Sequence, residues 1–117
     1  MLEDVLRDVD LGGLARRVFR KGEAVISADT PTDLAFMLEK GKVRGAGPGG
    51  GFGPGEVMSP IEFLGSDFYE TPVVALGPCN VICIPREMVR AAMDKGSPVT
   101  WVLSRSLAAE ALMAQRE

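Results

Sequence analysis

The chain has 117 residues, a net charge of −3 and a pI of about 5.0, with 46% of its residues apolar and 25% charged. That suffices for one domain with a real core and falls short of two ordinary ones. The acidic balance argues against nucleic-acid binding through a basic patch; no apolar run nears the roughly 18 residues that span a bilayer; and the absence of histidine removes the commonest general base and the commonest metal and haem ligand.

The N-terminus, MLEDVLRDVD, is acidic from its third residue and does not read as a signal peptide, so a cytoplasmic location is expected. Leu2, Val5, Leu6 and Val9 recur at helical spacing and predict a short helix that Gly12–Gly13 breaks. The basic cluster Arg16, Arg17, Arg20 and Lys21 is interleaved with Val18 and Phe19, and reads as the solvent-facing arms of a strand. From Val18 the period becomes two: VFRKGEAVIS is strand-rich, and Asp29 to Asp33 form a turn cluster. LAFMLEKGKVRG then predicts strand, tight turn at Lys40–Gly41, and strand.

Residues 47 to 60, GPGGGFGPGEVMSP, contain six glycines and three prolines. A glycine-rich run ending in an acid can cradle a phosphate, because glycine lets backbone N–H groups point at an anion. So much glycine also costs chain entropy and weakens strand pairing, so a shortened, mobile hairpin is expected here. Ser59 as N-cap and Pro60 as first helical residue predict one helical turn over Ile61 to Leu64. Thr71 to Leu76 and Asn80 to Ile84 read as strands parted by Gly77–Pro78. Cys79 and Cys83 fall on one face of the second strand but about 13 Å apart by strand rise, too far for a disulfide without a sharp bend. Their apolar neighbours mark them as buried, inert thiols.

Pro85 opens a helical region, REMVRAAMDKG, with Val89, Ala92 and Met93 on its apolar face. Ser97–Pro98 signals the start of a last helix, PVTWVLSRSLAAEALMAQRE, which carries two apolar stripes. One holds Val99, Leu103, Leu107, Ala111 and Ala114, the other Trp101, Ala108 and Leu112. One stripe is expected to pack on the domain and the other to meet a partner helix, giving a homodimer through the C-terminal helix; the alternative is a single broad face on a larger core. The order helix, short strands, two helices fits a mainly β fold, a roll or barrel with helices at one end. The expected division of the single domain 1–117 is a helical segment over 1–16, a β-roll over 17–85 and C-terminal helices over 86–117.

FRKGEAVISADTPTDLAFMLEKGKVR resembles the opening of the cyclic-nucleotide-binding domain of Crp/Fnr-type transcription regulators. Phe19, Lys21, Gly22 and Glu23 match its first motif; Asp29 and Asp33 sit in its turn; Phe36, Gly41, Lys42 and Val43 match the strand and turn that follow. Gly53-Pro54-Gly55-Glu56-Val57 resembles the approach to the family's phosphate-binding cassette, and Val74 to Leu76 and Cys79 to Arg86 its closing strands. The resemblance implies a double-stranded β-helix, or jelly-roll, with a C-terminal dimerisation helix.

In that family the cassette reads Phe–Gly–Glu, a short helix, then Arg–Thr/Ser–Ala; the Glu takes the ribose hydroxyl and the Arg the cyclic phosphate. Here Met58, Ser59 and Pro60 stand for Phe, Gly and Glu, and the Arg position falls on Tyr69 or Glu70. Proline offers neither acceptor nor N–H, and a glutamate repels a phosphate. Arg86 and Arg90 fall on the helix after the roll and do not replace the missing cation. Binding of cyclic AMP or GMP is therefore not expected. An unidentified small-molecule ligand would be lined by Gly55, Glu56, Ser59, Tyr69 and Thr71, with Ser59 and Thr71 supplying hydroxyls and Tyr69 a stacking face. Glu56, Glu62 and Glu70 surround this candidate pocket, most simply as solvated or capping residues. The sequence implies no cofactor and no metal, and no enzyme: no nucleophile–base pair stands out. Two readings remain. One is a regulatory sensor domain, either a piece of a longer regulator or a stand-alone unit, that carries no basic recognition helix and so does not itself bind nucleic acid. The other is a β-roll without a ligand that serves as a dimerisation scaffold.

Overall fold

The computed structural model describes residues 2–45 and 50–116, with the side chain of Arg116 left aside. Helix α1 (Leu2–Val5) opens the chain, and the turns after it carry the apolar stripe inward, so that Leu2 and Leu6 are buried. The regular helix is shorter than the spacing of Leu2 to Val9 predicts; Arg7 and Val9 donate instead to Asp4 and Leu6 at i−3, in tight turns.

Among the described residues nine strands follow: β1 (Arg16–Phe19), β2 (Ala24–Ile26), β3 (Thr30–Pro31), β4 (Leu34–Lys40), β5 (Val43–Gly45), β6 (Gly51–Phe52), β7 (Phe68–Tyr69), β8 (Val73–Ala75) and β9 (Cys79–Pro85). The strands pair antiparallel, in sheets ordered β1-β9-β4, β2-β8-β5-β6 and β3-β7. This is the mainly β, jelly-roll-like architecture with flanking helices that the sequence implies. Apolar side chains of the two larger sheets meet in one core, including Val25, Ile26, Phe36, Leu38, Val43, Val73, Val81 and Ile84.

Two features of β4 depart from the simple reading. LAFMLEK-GK-VRG looks like a hairpin, but β4 pairs with β9 and β5 with β8, so the turn passes the chain from one sheet to the other. Gly41 makes this crossing at φ 101, where an added Cβ would lie 2.4 Å from the Pro78 carbonyl oxygen, so only glycine fits. Ala35 to Leu38 are also buried consecutively instead of alternating, because β4 has the core on one side and helices packed on the other. Those helices are α2 (Pro60–Gly65) and α3 (Arg86–Asp94). The glycine-rich hairpin is short as expected, with Val43 opposite Phe52 and Arg44 opposite Gly51. The mobility expected of its tip concerns 46–49, which lie outside the described residues.

The last helix, α4 (Thr100–Arg116), begins after the Ser97–Pro98 turn. The cap at its start is the Asp94 carboxylate, which accepts from the Trp101 N–H at 3.0 Å. Of its two stripes, Trp101, Ala108 and Leu112 are buried, whereas Val99, Leu103 and Leu107 are 54%, 57% and 66% exposed. Cys79 and Cys83 are free and buried.

Candidate functional site

The residues leading into the cassette are held by backbone pairing on β4. Gly55 donates to the Leu38 carbonyl at 2.7 Å, Leu38 to that of Glu56 at 3.0 Å, and Met58 to that of Phe36 at 2.8 Å. This added edge buries Val57 and Met58 and leaves Gly55 and Glu56 exposed on the turn. The Val57 N–H is taken by the Glu3 carboxylate at 2.9 Å, which clips α1 to the same edge. Burial works to raise the Glu3 pKa, but backbone donors from Glu3 itself and Val57 prevail and hold it below the usual glutamate value.

Ser59 heads α2 in the left-handed conformation, φ 48 and ψ 53, and its side chain caps nothing. This corrects the expected N-cap role: an N-cap needs extended backbone to aim its hydroxyl at the first turn. The Ser59 carbonyl instead accepts the Phe63 N–H at 3.0 Å. Along α2, Phe63 and Leu64 are buried; Phe63 meets Trp101 edge-on at 6.1 Å, and Gly65 lies against the α4 backbone at Ala108 and Ala109.

Tyr69 is placed differently from its expected role as a stacking face. It is 0% exposed, its ring tilts against Phe36 at 5.7 Å, and its hydroxyl donates to the Leu34 carbonyl at 2.8 Å. A large aromatic with an inward partner for its polar end is a core residue. Burial, followed by the negative charge of Glu62, pushes its phenol well above the ordinary tyrosine pKa, with Arg86 opposing.

The helix and the 70–71 backbone are joined by a residue the sequence singles out only as a solvated or capping acid. Glu62 Oε1 accepts from the Glu70 N–H at 2.7 Å and from the Thr71 N–H at 3.2 Å. Nothing in the sequence marks this contact, since the partners lie eight and nine positions away across a turn. Gly55 and Glu56 thus sit on the β4 edge and Ser59 at the head of α2, while Thr71 reaches that helix through Glu62 and Tyr69 lies beneath. The nearby cations are engaged: Arg86 donates to Thr32 Oγ1 at 3.3 Å and lies 5.4 Å above the Trp101 ring, and Arg105 donates to the Leu64 carbonyl at 3.1 Å.

Among the described residues, concavities near these positions include two that none of the five lines. One, of about 310 Å³, is apolar and runs between α1, α2 and α4, with Leu2, Val5, Ile61, Leu64 and Leu107 among its walls. The other, of about 450 Å³, lies by the glycine-rich hairpin at Lys42, Phe52 and Leu76. Among the described residues no group of acids and cysteines could hold a metal ion, and no helix is long and apolar enough to cross a membrane.

The model of the cyclic nucleotide-binding domain matches residues 16–95. Among solved structures, a transcriptional regulator from Thermotoga maritima is 20% identical over 91% of this chain and 88% of its own, with a TM-score of 0.60. The catabolite activator protein of Thermus thermophilus is 19% identical, covering 96% of this chain and 57% of the activator, with a TM-score of 0.58. The cAMP-bound form of an EAL enzyme is 18% identical, covering 87% of this chain and 30% of the enzyme, with a TM-score of 0.65. At such identities the likeness is one of fold. No curated protein matches the chain.

Proposed function

The chain belongs to the cyclic nucleotide-binding domain family, and we propose that it is a dimerising regulatory module of the Crp/Fnr type that does not take cyclic AMP or cyclic GMP. The observation that carries this reading is the chemistry of the cassette. Pro60 stands where the resemblance places the sugar-binding acid, and Tyr69, sealed in the core, or Glu70 stands where it places the phosphate-binding arginine. A cyclic phosphate entering here would lose water without meeting a cation. Calorimetry with cyclic AMP and cyclic GMP is the test: no saturable heat is expected, and a micromolar dissociation constant for either would refute it.

The dimer is supported by the exposed stripe of Val99, Leu103 and Leu107, which runs into the apolar groove between α1 and α2 at Leu107. Leu103→Glu with Leu107→Glu is expected to convert a dimer to a folded monomer in sedimentation experiments. A wild-type chain that stays monomeric at high micromolar concentration would refute this part. With a net charge of −3, these residues are not proposed to bind nucleic acid themselves, and no catalytic role is proposed for them.

A ligand-free dimerisation scaffold is the second reading, favoured by the complete burial of Tyr69. A small ligand, if the module takes one, would meet Gly55, Glu56, Ser59 and Thr71 at the surface, with Tyr69 supporting them from below. A panel of nucleotides and small anions separates the two, because a ligand at 100 times its dissociation constant adds about 2.7 kcal/mol of stability. Flat melting curves throughout would leave the scaffold.

A further inference from the structure

We infer that Glu62 is the specificity-determining residue of the cassette: its carboxylate is a built-in occupant of the anion seat formed by the backbone N–H groups of Glu70 and Thr71. The inference rests on the reading above that the module takes no cyclic nucleotide, and supplies a cause beyond the missing side chains. Two successive backbone N–H groups converge on one oxygen, Glu62 Oε1, at 2.7 and 3.2 Å. Successive amides aimed at one point form a small anion-binding concavity, and a carboxylate bonded to backbone N–H makes strong, charge-assisted hydrogen bonds.

Both halves of the contact are held from behind. On the amide side, Tyr69 and Val73 are fully buried on either side of the pair, and the Tyr69 carbonyl accepts the Asp29 N–H at 2.7 Å. On the acid side, α2 is anchored by buried Phe63 and Leu64, with Gly65 pressed on α4. Little ordering is left to do when the contact forms, so the internal carboxylate competes at high effective concentration. An entering oxyanion, whether free phosphate or the phosphate of an ester, must displace a carboxylate that stays tethered nearby and repels it. The excluded class is therefore small oxyanions, and the exclusion is a repulsive element as well as an absent attraction.

The experiment is a titration of 15N-labelled protein with inorganic phosphate at fixed pH and ionic strength, following the Glu70 and Thr71 amide resonances. In the wild type these amides are expected to stay in place. In Glu62→Ala they are expected to move as the carboxylate is lost and then to shift saturably with phosphate, with an apparent dissociation constant at least about tenfold below any wild-type value, as for the loss of one charge-assisted hydrogen bond. Glu62→Gln keeps an acceptor of the same shape without the charge and is expected to fall between; it carries the same test should the alanine variant not fold. A folded variant whose 70–71 amides ignore phosphate would overturn the inference and leave the proposed function standing. Wild-type amides that already shift with phosphate would overturn it too. Nucleotide binding to the wild type with these two amides unmoved would refute the proposed function alone.

Discussion

Replacing Gly65 with alanine tests how the cassette is joined to the C-terminal helix. An added Cβ would lie 2.7 Å from the Ala108 carbonyl carbon, 2.7 Å from the Ala109 nitrogen and 2.9 Å from the Ala108 oxygen. All three atoms belong to the α4 backbone, so no side chain can swing aside. Relaxed carbon contacts begin at about 3.5 Å, so α2 and α4 must part by roughly 0.8 Å. That loosens the edge-on contact of Phe63 with Trp101 and the bond from Arg105 to the Leu64 carbonyl. Overpacking of this kind costs about 1–3 kcal/mol, and the better helix propensity of alanine returns up to about 1 kcal/mol. A net loss of about 1–2 kcal/mol lowers the Tm of a domain of this size by on the order of 5–10 °C. Thermal unfolding followed by circular dichroism measures it, with Gly13→Ala as control, since a Cβ there meets nothing within 4 Å. If the Gly65→Ala melt coincides with that of Gly13→Ala, the close approach of α2 to α4 does not exist as described.

Two further outcomes concern titration. Tyr69 is the only tyrosine, and burial keeps its folded-state phenol protonated beyond the ordinary range. Above about pH 10 the unfolded chain releases that proton and the folded one does not, so stability should fall as pH rises; phenolate absorbance appearing well before alkaline unfolding would contradict the burial. Glu3, whose pKa is lowered in the fold, stabilises above the unfolded glutamate pKa and loses that contribution as pH falls through its folded value. Glu3→Gln should therefore cost below about 1 kcal/mol at neutral pH, with the difference from wild type vanishing in acid; a denaturation difference independent of pH would refute the ionic part of the clip to Val57.

Much of the fold was legible because its cues are local. Gly77–Pro78 parts β8 from β9 as its turn residues predict, the Asp29 to Asp33 cluster turns on either side of the short strand β3, and spacing alone divides the apolar residues of α4 into two stripes. Ser59 shows where local reading fails. A serine before a proline is a good capping signal, yet pairing of 55–58 onto β4 delivers the chain to α2 in a left-handed turn that the signal does not anticipate. Tyr69 fails similarly: its position by the cassette suggested a surface role, while a distant carbonyl at Leu34 and the Phe36 ring draw it inward.

By itself, then, the sequence determined a mainly β fold with trailing helices and, through the family it resembles, the expectation that Pro60 and Tyr69 or Glu70 stand where that family's ligand-gripping side chains fall, since the order and identity of residues are properties of the chain. Tertiary structure decided which stripe of α4 is covered, that the Gly41 turn changes sheets, and that Glu62 sits on the Glu70 and Thr71 amides. Each of these depends on groups brought together by packing, whose meeting no local pattern encodes.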